Sequence, residues 1–291
     1  MRALRIHGYG GPEVMRLDEV DDPSPSAGQL LLKVRAASVN PIDWKMRRGL
    51  LEKVFPLQFP RILGRDCAGE NDGRLYAGVA DMRMDGTHAE YVLLPEGQAA
   101  PVPAGIDAAS AASLCIAGLS AYIPLVEIAQ VKRGMRVLVH AGAGGVGSLA
   151  VQIARQLGAE VVATASAENR DYCKSLGAAQ VLDYRKEPLG GGYDVVLDTI
   201  GGETHLRSIQ ALRPGGIVVA LAAAPIPPGG KRADVRVAMA QIQPTRERLQ
   251  RVFELGVRPQ VKNKYVFAEA AAAYARSESG HARGKIVLLP G

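Results

Sequence analysis

Apolar and polar positions give this chain two textures. Between about residues 117 and 256, uninterrupted apolar runs alternate with stretches of helical period. Val137–Val139, Glu160–Ala165, Gln180–Leu182, Tyr193–Asp198 and Gly216–Leu221 are short runs dominated by Val, Ile, Leu and Ala. Such runs suit parallel strands buried on both faces. The intervening segments carry helix signals. Ser148–Leu157 is closed by Gly158, Tyr172–Leu176 by Gly177, and Glu203–Leu212 by Pro214-Gly215-Gly216. Val235–Ile242 reads as the last strand, an apolar edge, and Pro244–Gly256 as a helix after it. This alternation predicts a doubly wound parallel sheet with ligands at the carboxyl ends of its strands.

Residues 1–110 differ: short strands, many turns and little helical period. Met1–His7 reads as a first strand, and Gln29–Arg35 as another, set up by Pro23-Ser-Pro-Ser-Ala-Gly28. Ser38–Gly49 leads from strand into a short helix, and Gly86–Pro95 is a further strand. The chain thus joins a β-rich domain to an α/β domain, and its 291 residues are enough for two cores.

The chemistry concentrates where the first buried strand meets Gly142, Gly144 and Gly147 in a Gly-x-Gly-x-x-Gly turn. Glycine serves three needs there: a tight turn, bare backbone beside a pyrophosphate, and close packing of helix on strand. Gly142, Ala143, Gly144, Gly145 and Val146 are therefore expected against the phosphates, which sit on the unpaired N–H groups of the helix start. The end of the next strand selects the cofactor. A carboxylate there would bind a ribose 2′-hydroxyl and repel a 2′-phosphate. This chain has Thr164, Ala165 and Ser166, with Arg170 one turn on; Glu160 is at the wrong end and Glu168 beyond the key position. Hydroxyls and a guanidinium suit a phosphate, so NADP(H) is expected over NAD(H).

Composition narrows the rest. Three cysteines, Cys67, Cys115 and Cys173, are too few and scattered for a disulfide framework or a metal knot. The net charge of +6 is spread along the chain, apart from an Arg excess in 231–258, without a basic run interleaved with aromatics. A phosphate-bearing cofactor uses that charge better than nucleic acid. No apolar run reaches the length of a membrane span, and Met1–His7 lacks a signal-peptide h-region, so the expectation is a cytoplasmic protein with no membrane partner.

Several motifs in order make the chain resemble the medium-chain dehydrogenase/reductase superfamily, in its zinc-free quinone-oxidoreductase-like (zeta-crystallin-like) branch. They are Gly10-Gly-Pro-Glu13, Ser38-Val-Asn-Pro-Ile-Asp43, Gly64-Arg-Asp-Cys-Ala-Gly69, Gly86-Thr-His-Ala-Glu-Tyr91 and Ala117-Gly-Leu-Ser-Ala-Tyr122. Ala141–Gly147, Asp198-Thr-Ile-Gly-Gly202 and Gly280-His-Ala-Arg-Gly-Lys-Ile-Val287 complete the set. The resemblance implies a GroES-like β-rich catalytic domain from both chain ends, residues 1–116 and 257–291, around a Rossmann domain at 117–256. The β texture of Val261–Phe267 and Lys285–Leu289 fits that plan. Nicotinamide and substrate would lie between the domains, and relatives pair the last Rossmann strand across a two-fold axis, so a homodimer is expected.

The resemblance also exposes departures. Zinc-dependent members use a Cys and a His where this chain has Ser38 and Arg65, and the four-Cys structural loop is absent. Hydroxyl and guanidinium do not replace thiolate and imidazole on zinc, so no metal is expected, and Cys67 and His88 read as structural. The catalytic domain is also shortened near 70–74, where Asn71-Asp72-Gly73 stands in place of a longer stretch. Without a Lewis acid the suitable acceptor is a quinone or α,β-unsaturated carbonyl, which takes hydride at carbon and spreads charge onto oxygen. Asn40 and Lys45 are the candidate catalytic residues, donating a hydrogen bond and a charge or proton; Asp43 is expected to fix their loop. The family places Ser120 and Tyr122 on the cofactor's nicotinamide half, Tyr184 near the 2′-phosphate and adenine, and His281, Ala282 and Arg283 towards the nicotinamide ribose and phosphates; Leu221, at the end of its strand, is also expected against the cofactor. The expected activity is an NADPH-dependent, zinc-independent quinone or enone reductase. The alternatives are a 2-enoyl thioester reductase and a non-catalytic nucleotide-sensing or RNA-binding protein on the same fold.

Overall fold

The computed structural model describes residues 1–221 and 232–291. The chain forms two compact units, Met1–Ile116 with Pro244–Gly291, and Ala117–Gln243. The first contains β1 (Arg2–Ile6), β2 (Met15–Glu19), β3 (Gln29–Val39), α1 (Pro41–Arg47), β4 (Arg61–Ile62), β5 (Asp66–Asn71), β6 (Arg74–Val79), β7 (Tyr91–Pro95) and β8 (Ala99–Pro101). Helix α2 (Ala108–Tyr122) leads into the second unit, which holds β9 (Arg136–Val139), α3 (Gly145–Gln156), β10 (Glu160–Ala165), α4 (Arg170–Ser175), β11 (Gln180–Asp183), β12 (Tyr193–Asp198), α5 (Gly202–Ala211), β13 (Leu212–Ala220) and β14 (Arg236–Met239). The chain returns through α6 (Arg246–Glu254), β15 (Asn263–Val266), α7 (Ala270–Glu278) and β16 (Ile286–Leu289).

In the first unit, β15, β16, β3, β5, β6 and β8 follow one another in a sheet, with β7 on β3. Strand β3 is the spine, since its early residues pair with β7 and its later ones with β5 and β16. That arrangement sets Ser38 opposite both Asp66 and Val287. The shortened stretch is a two-residue hairpin turn. Asp72 and Gly73 have φ of 47° and 73°, the mirror-image geometry that matches strand twist. Only Tyr91–Pro95 of the predicted Gly86–Pro95 strand is regular. Gly86 crosses so close to Leu63 and Gly64 that an added Cβ would lie 2.4 Å from either carbonyl oxygen.

Helix α6 belongs to the first unit, which moves the second boundary from residue 256 back to 243. The cause is local. Arg246 donates to the carbonyls of Ala99 and Glu96, and the apolar face of α6 buries Leu249, Val252 and Phe253. Helix α2 corrects a second expectation. With a π-helical turn at Ile123–Ile128 it runs for 21 residues, with a mean hydropathy of 1.7 over an 18-residue window, enough by length to cross a membrane. Most of it is buried, and an all-round apolar helix in that setting is a core helix.

The second unit is a six-stranded, wholly parallel sheet in the order β11-β10-β9-β12-β13-β14. Leu138, Val162, Val196 and Val218 from four successive strands fill its core with Tyr193 and Ile209. The chain winds outwards on both sides of β9, so the strand order reverses there and opens a ligand position at the carboxyl ends. The predicted last strand is shorter than Val235–Ile242, and exposes Val237 and Met239 at the edge.

Candidate active site

Strand β9 delivers the glycine-rich turn to the switch point. Gly142 N–H donates to the Thr164 carbonyl and Gly144 N–H to that of Ala141; Gly144 then caps the 12-residue α3. A Cβ on Gly147 would stand 2.1 Å from the Ala141 carbonyl oxygen, and one on Gly142 2.7 Å from the Ala163 Cβ. Both glycines are therefore demanded by packing of turn, strand and helix. At Gly144 only the Ala141 oxygen, at 3.3 Å, lies within 4 Å of an added Cβ. The cradle is bare backbone at the start of a helix whose first N–H groups have no carbonyl one turn back, which fits a pyrophosphate.

The ends of β10 and β11 gather the residues expected at the ribose, and the structure redistributes their roles. Thr164 is buried, and its hydroxyl lies between His140 Nδ1 at 3.1 Å and the Ala141 N–H at 3.2 Å. Ser166 Oγ accepts from Asn169 Nδ2. Arg170 is turned away along α4: it donates to the Val181 carbonyl and pairs with Glu187 at 3.2 Å. Tyr184 is about half exposed, its N–H donating to the Ala165 carbonyl. The Arg185 guanidinium lies 5.2 Å from its ring. Arg185 is not singled out by the sequence pattern, and its place directly after Tyr184 is the signal that could have found it. Glu168 also stands here, its carboxyl held below its ordinary range by its own backbone N–H and the Ser166 hydroxyl.

Deeper in this unit, Asp198 at the end of β12 accepts from the Ile200 and Gly201 N–H groups and holds His205 Nδ1 at 2.8 Å. Leu221 N–H donates to the Asp198 carbonyl, which puts Leu221 beside that strand end. Ser120 is buried on α2 and Tyr122 partly so.

In the first unit, Ser38, Asn40, Asp43, Asp66 and Lys285 meet in one buried cluster. Asn40 is its hub. Its Oδ1 accepts from Lys285 Nζ at 2.6 Å, while Nδ2 donates to Asp66 Oδ1 at 2.8 Å and to Ser38 Oγ at 3.3 Å. Its backbone N–H donates to Asp43 Oδ2, closing the first turn of α1. Both ends of the amide thus face inward, so Asn40 braces α1 where the sequence suggests a donor to substrate. Asp66 also accepts from the Ser38 hydroxyl at 2.5 Å and from the Ile116 N–H at 2.9 Å. Burial raises the Asp43 carboxyl to about 7; Asp66 adds to the rise, while the Asn40 N–H, Lys285 and Arg65 oppose it. Lys45, half-buried on α1 with its ammonium 5.7 Å from the Trp44 ring, is lowered from its ordinary range by desolvation. His281, Ala282 and Arg283 lie between α7 and β16, where Asn263 donates to the Arg283 carbonyl and Ala282 packs on the core.

Lys285 and Asp66 escape a sequence reading because they meet Asn40 across 245 and 26 positions. A lysine opening an apolar strand was the available signal for the first.

Two family profiles match this architecture: that of zinc-binding dehydrogenases over residues 176–288, and that of the alcohol dehydrogenase GroES-like domain over 26–70. A chloroplastic quinone-oxidoreductase homolog of Spinacia oleracea is 32% identical, with 100% of this chain and 98% of that protein aligned. The chloroplastic NADPH-dependent alkenal/one oxidoreductase of Arabidopsis thaliana is 34% identical, with 100% and 80% aligned. Among solved structures, the quinone oxidoreductase of Coxiella burnetii superposes with a TM-score of 0.91 at 32% identity, over 100% of this chain and 99% of that one. That of Thermus thermophilus, known also with NADPH, gives 0.87 at 32%, over 99% and 100%. A GroES-like domain with a glycine-turn Rossmann domain defines a nucleotide-dependent dehydrogenase or reductase. The chain belongs to the quinone-oxidoreductase-like branch of the medium-chain dehydrogenase/reductase superfamily.

The zinc in one profile's description does not fit the residues here. Ser38 gives its hydroxyl proton to Asp66, and Arg65 brings a positive charge. His88 has both ring nitrogens engaged, by the Ser38 carbonyl and the Tyr274 hydroxyl. Burial, reinforced by Asp66, pushes the Cys67 thiol far up, away from the thiolate that zinc requires. Among the described residues no group of three His, Cys, Asp or Glu is gathered for a metal.

Proposed function

We propose that this protein is an oxidoreductase that uses NADPH to reduce quinones or α,β-unsaturated carbonyls, with no step through zinc. The observation that carries it is the bare-backbone cradle at Gly142–Val146, joined to a strand end that offers Ser166, Tyr184 and Arg185 where an NAD-binding site keeps a carboxylate. The quinone and alkenal/one oxidoreductases among its relatives support the same class. Arg185, packed on Tyr184 and uncommitted to Glu187, is the guanidinium we assign to the 2′-phosphate in place of Arg170.

When bound, the dihydronicotinamide supplies the hydride. The chain's residues anchor the pyrophosphate on the α3 N–H groups and hold the acceptor's oxygen near a proton source. Lys45 suits that last task. Desolvation makes its ammonium a stronger acid, ready to give an Nζ proton to an oxygen that gains negative charge. Asn40, clamped by Lys285 and Asp66, fixes the start of the helix that carries it. We also propose a homodimer formed through β14, supported by the exposed Val237 and Met239 on that edge.

Calorimetric titration tests the cofactor assignment. Wild-type protein should bind NADPH more tightly than NADH. Arg185→Ala should weaken NADPH by roughly tenfold, the range of a lost charge-assisted contact, and leave NADH unchanged. Equal losses for both nucleotides would remove Arg185 from the phosphate, and no binding of either would overturn the function.

A further inference from the structure

The residue just before the first glycine of the turn is an alanine. Ala141 has φ of 50°, in the left-handed region that costs a side-chain-bearing residue and that structures retain only where neighbours enforce it. The neighbours are a chain of buried hydrogen bonds whose direction can be worked out. Ser208 Oγ donates to the Thr204 carbonyl at 2.7 Å, so towards His140 it can only accept. His140 Nε2, 2.9 Å away, must then carry the ring proton, which leaves a lone pair on Nδ1. That lone pair receives the Thr164 hydroxyl proton at 3.1 Å, and Thr164 Oγ1 in turn accepts the Ala141 N–H at 3.2 Å. The relay runs from α5 through β9 and β10 to the glycine-rich turn. His140 is also tied by its backbone, its N–H to the Leu197 carbonyl and its carbonyl to the Thr199 hydroxyl.

His140, Thr164 and Ser208 are all buried. Desolvation holds the imidazole down at about 4; Arg207 adds to that, and Asp198 opposes it. The neutral ring that the directions require is therefore its form at neutral pH. A protonated Nδ1 would aim a second donor at a hydroxyl oxygen already holding the Ala141 N–H and would leave the Thr164 proton without an acceptor.

We propose that His140 is a positioning residue for the dinucleotide: through Thr164 it holds Ala141 left-handed and so presets the glycine-rich turn before the pyrophosphate arrives. The inference rests on the reading of that turn as the NADPH site. A preset turn binds without first having to order itself, which is where affinity is gained.

The test is NADPH titration of the full-length protein, with turnover measured alongside. His140→Leu should raise the NADPH dissociation constant roughly tenfold, the scale of one buried relay bond, with kcat within about twofold of wild type. His140→Asn, which keeps an acceptor near the Nδ1 position, should recover most of the loss. Ala141→Gly should suppress it too, since glycine takes the left-handed conformation unaided. Nitrogen NMR should show His140 as the Nε2–H tautomer, untitrated at pH 5. Unchanged affinity in His140→Leu would overturn the proposal. So would a His140→Leu/Ala141→Gly double variant as weak as His140→Leu, because a general packing defect is indifferent to the turn's φ. Should His140→Leu fail to fold, Thr164→Val with Thr164→Ser as its rescue makes the same comparison. A wild-type protein that binds no nicotinamide nucleotide would overturn the site reading and this inference together.

Discussion

Asp43 shows how burial sets chemistry one side chain at a time. Its Oδ2 caps the first turn of α1, its Oδ1 is buried without a hydrogen bond, and its folded pKa of about 7 lies above the ordinary 3.8. Between those values the folded protein keeps a proton that the unfolded chain has lost. Stability from this group is therefore full in acid, falls as pH rises from about 4 to about 7, and is gone above that. Asp43→Asn keeps an acceptor for the Asn40 N–H and never ionises. It should exceed wild type in urea stability at pH 8 by more than about 1 kcal/mol and lose most of that margin by pH 4. An equal margin at both would mean that Lys285 and Arg65 compensate the carboxylate fully. At this scale the sequence is most legible where geometry leaves one residue type. Gly142 and Gly147 are readable because any Cβ would collide with the turn or its neighbouring strand. Arg170 and Arg185 were not separable in this way. Arg170 follows the second parallel strand and Arg185 the third, and only the fold reveals that Glu187 captures one and Tyr184 supports the other.

Elements add constraints that no single residue carries. Helix α3 can start against β9 only because Gly147 lets the Ala141 carbonyl pass, so Gly147→Ala should abolish NADPH binding by calorimetry while the first unit keeps its fold. Tight NADPH binding by that variant would separate the nucleotide from this turn. The edge strand β14 offers a second test. Its outward residues include the half-exposed Val237, and an inward or edge charge is a common barrier to strand pairing. Val237→Lys should convert the proposed dimer to monomer in sedimentation, whereas an unchanged mass would place any interface elsewhere. Parallel strands were legible as apolar runs because both faces are buried. Helix α2 is less legible: its small residues, Ala, Ser and Gly, hide a continuous helix in a sequence that resembles turn and core alike. Helix α6 was legible as a helix, but its unit was decided by Arg246 reaching carbonyls about 150 positions earlier.

At the scale of the whole molecule, each of the two units builds a centre of its own. The second unit supplies an anion cradle held by packing, and the first supplies a buried charge cluster in which Asn40 and Lys285 brace the helix carrying Lys45. The division into a β-rich and an α/β unit was visible in texture alone, because buried parallel strands and half-exposed antiparallel ones are written with different apolar spacing. The inward turn of Asn40 was invisible, since its partners come from distant segments of the first unit. The proposed reaction is hydride transfer from NADPH to an electron-poor acceptor. Its most direct test is the loss of dihydronicotinamide absorbance with purified protein, NADPH beside NADH, against a para-quinone and a short enone. Oxidation of NADPH in preference to NADH is expected with at least one of these acceptors, together with a fall in kcat when Lys45 is replaced by Met. NADPH bound tightly but left unoxidised by either acceptor would contradict it, and would point to the enoyl-thioester or nucleotide-sensing alternatives.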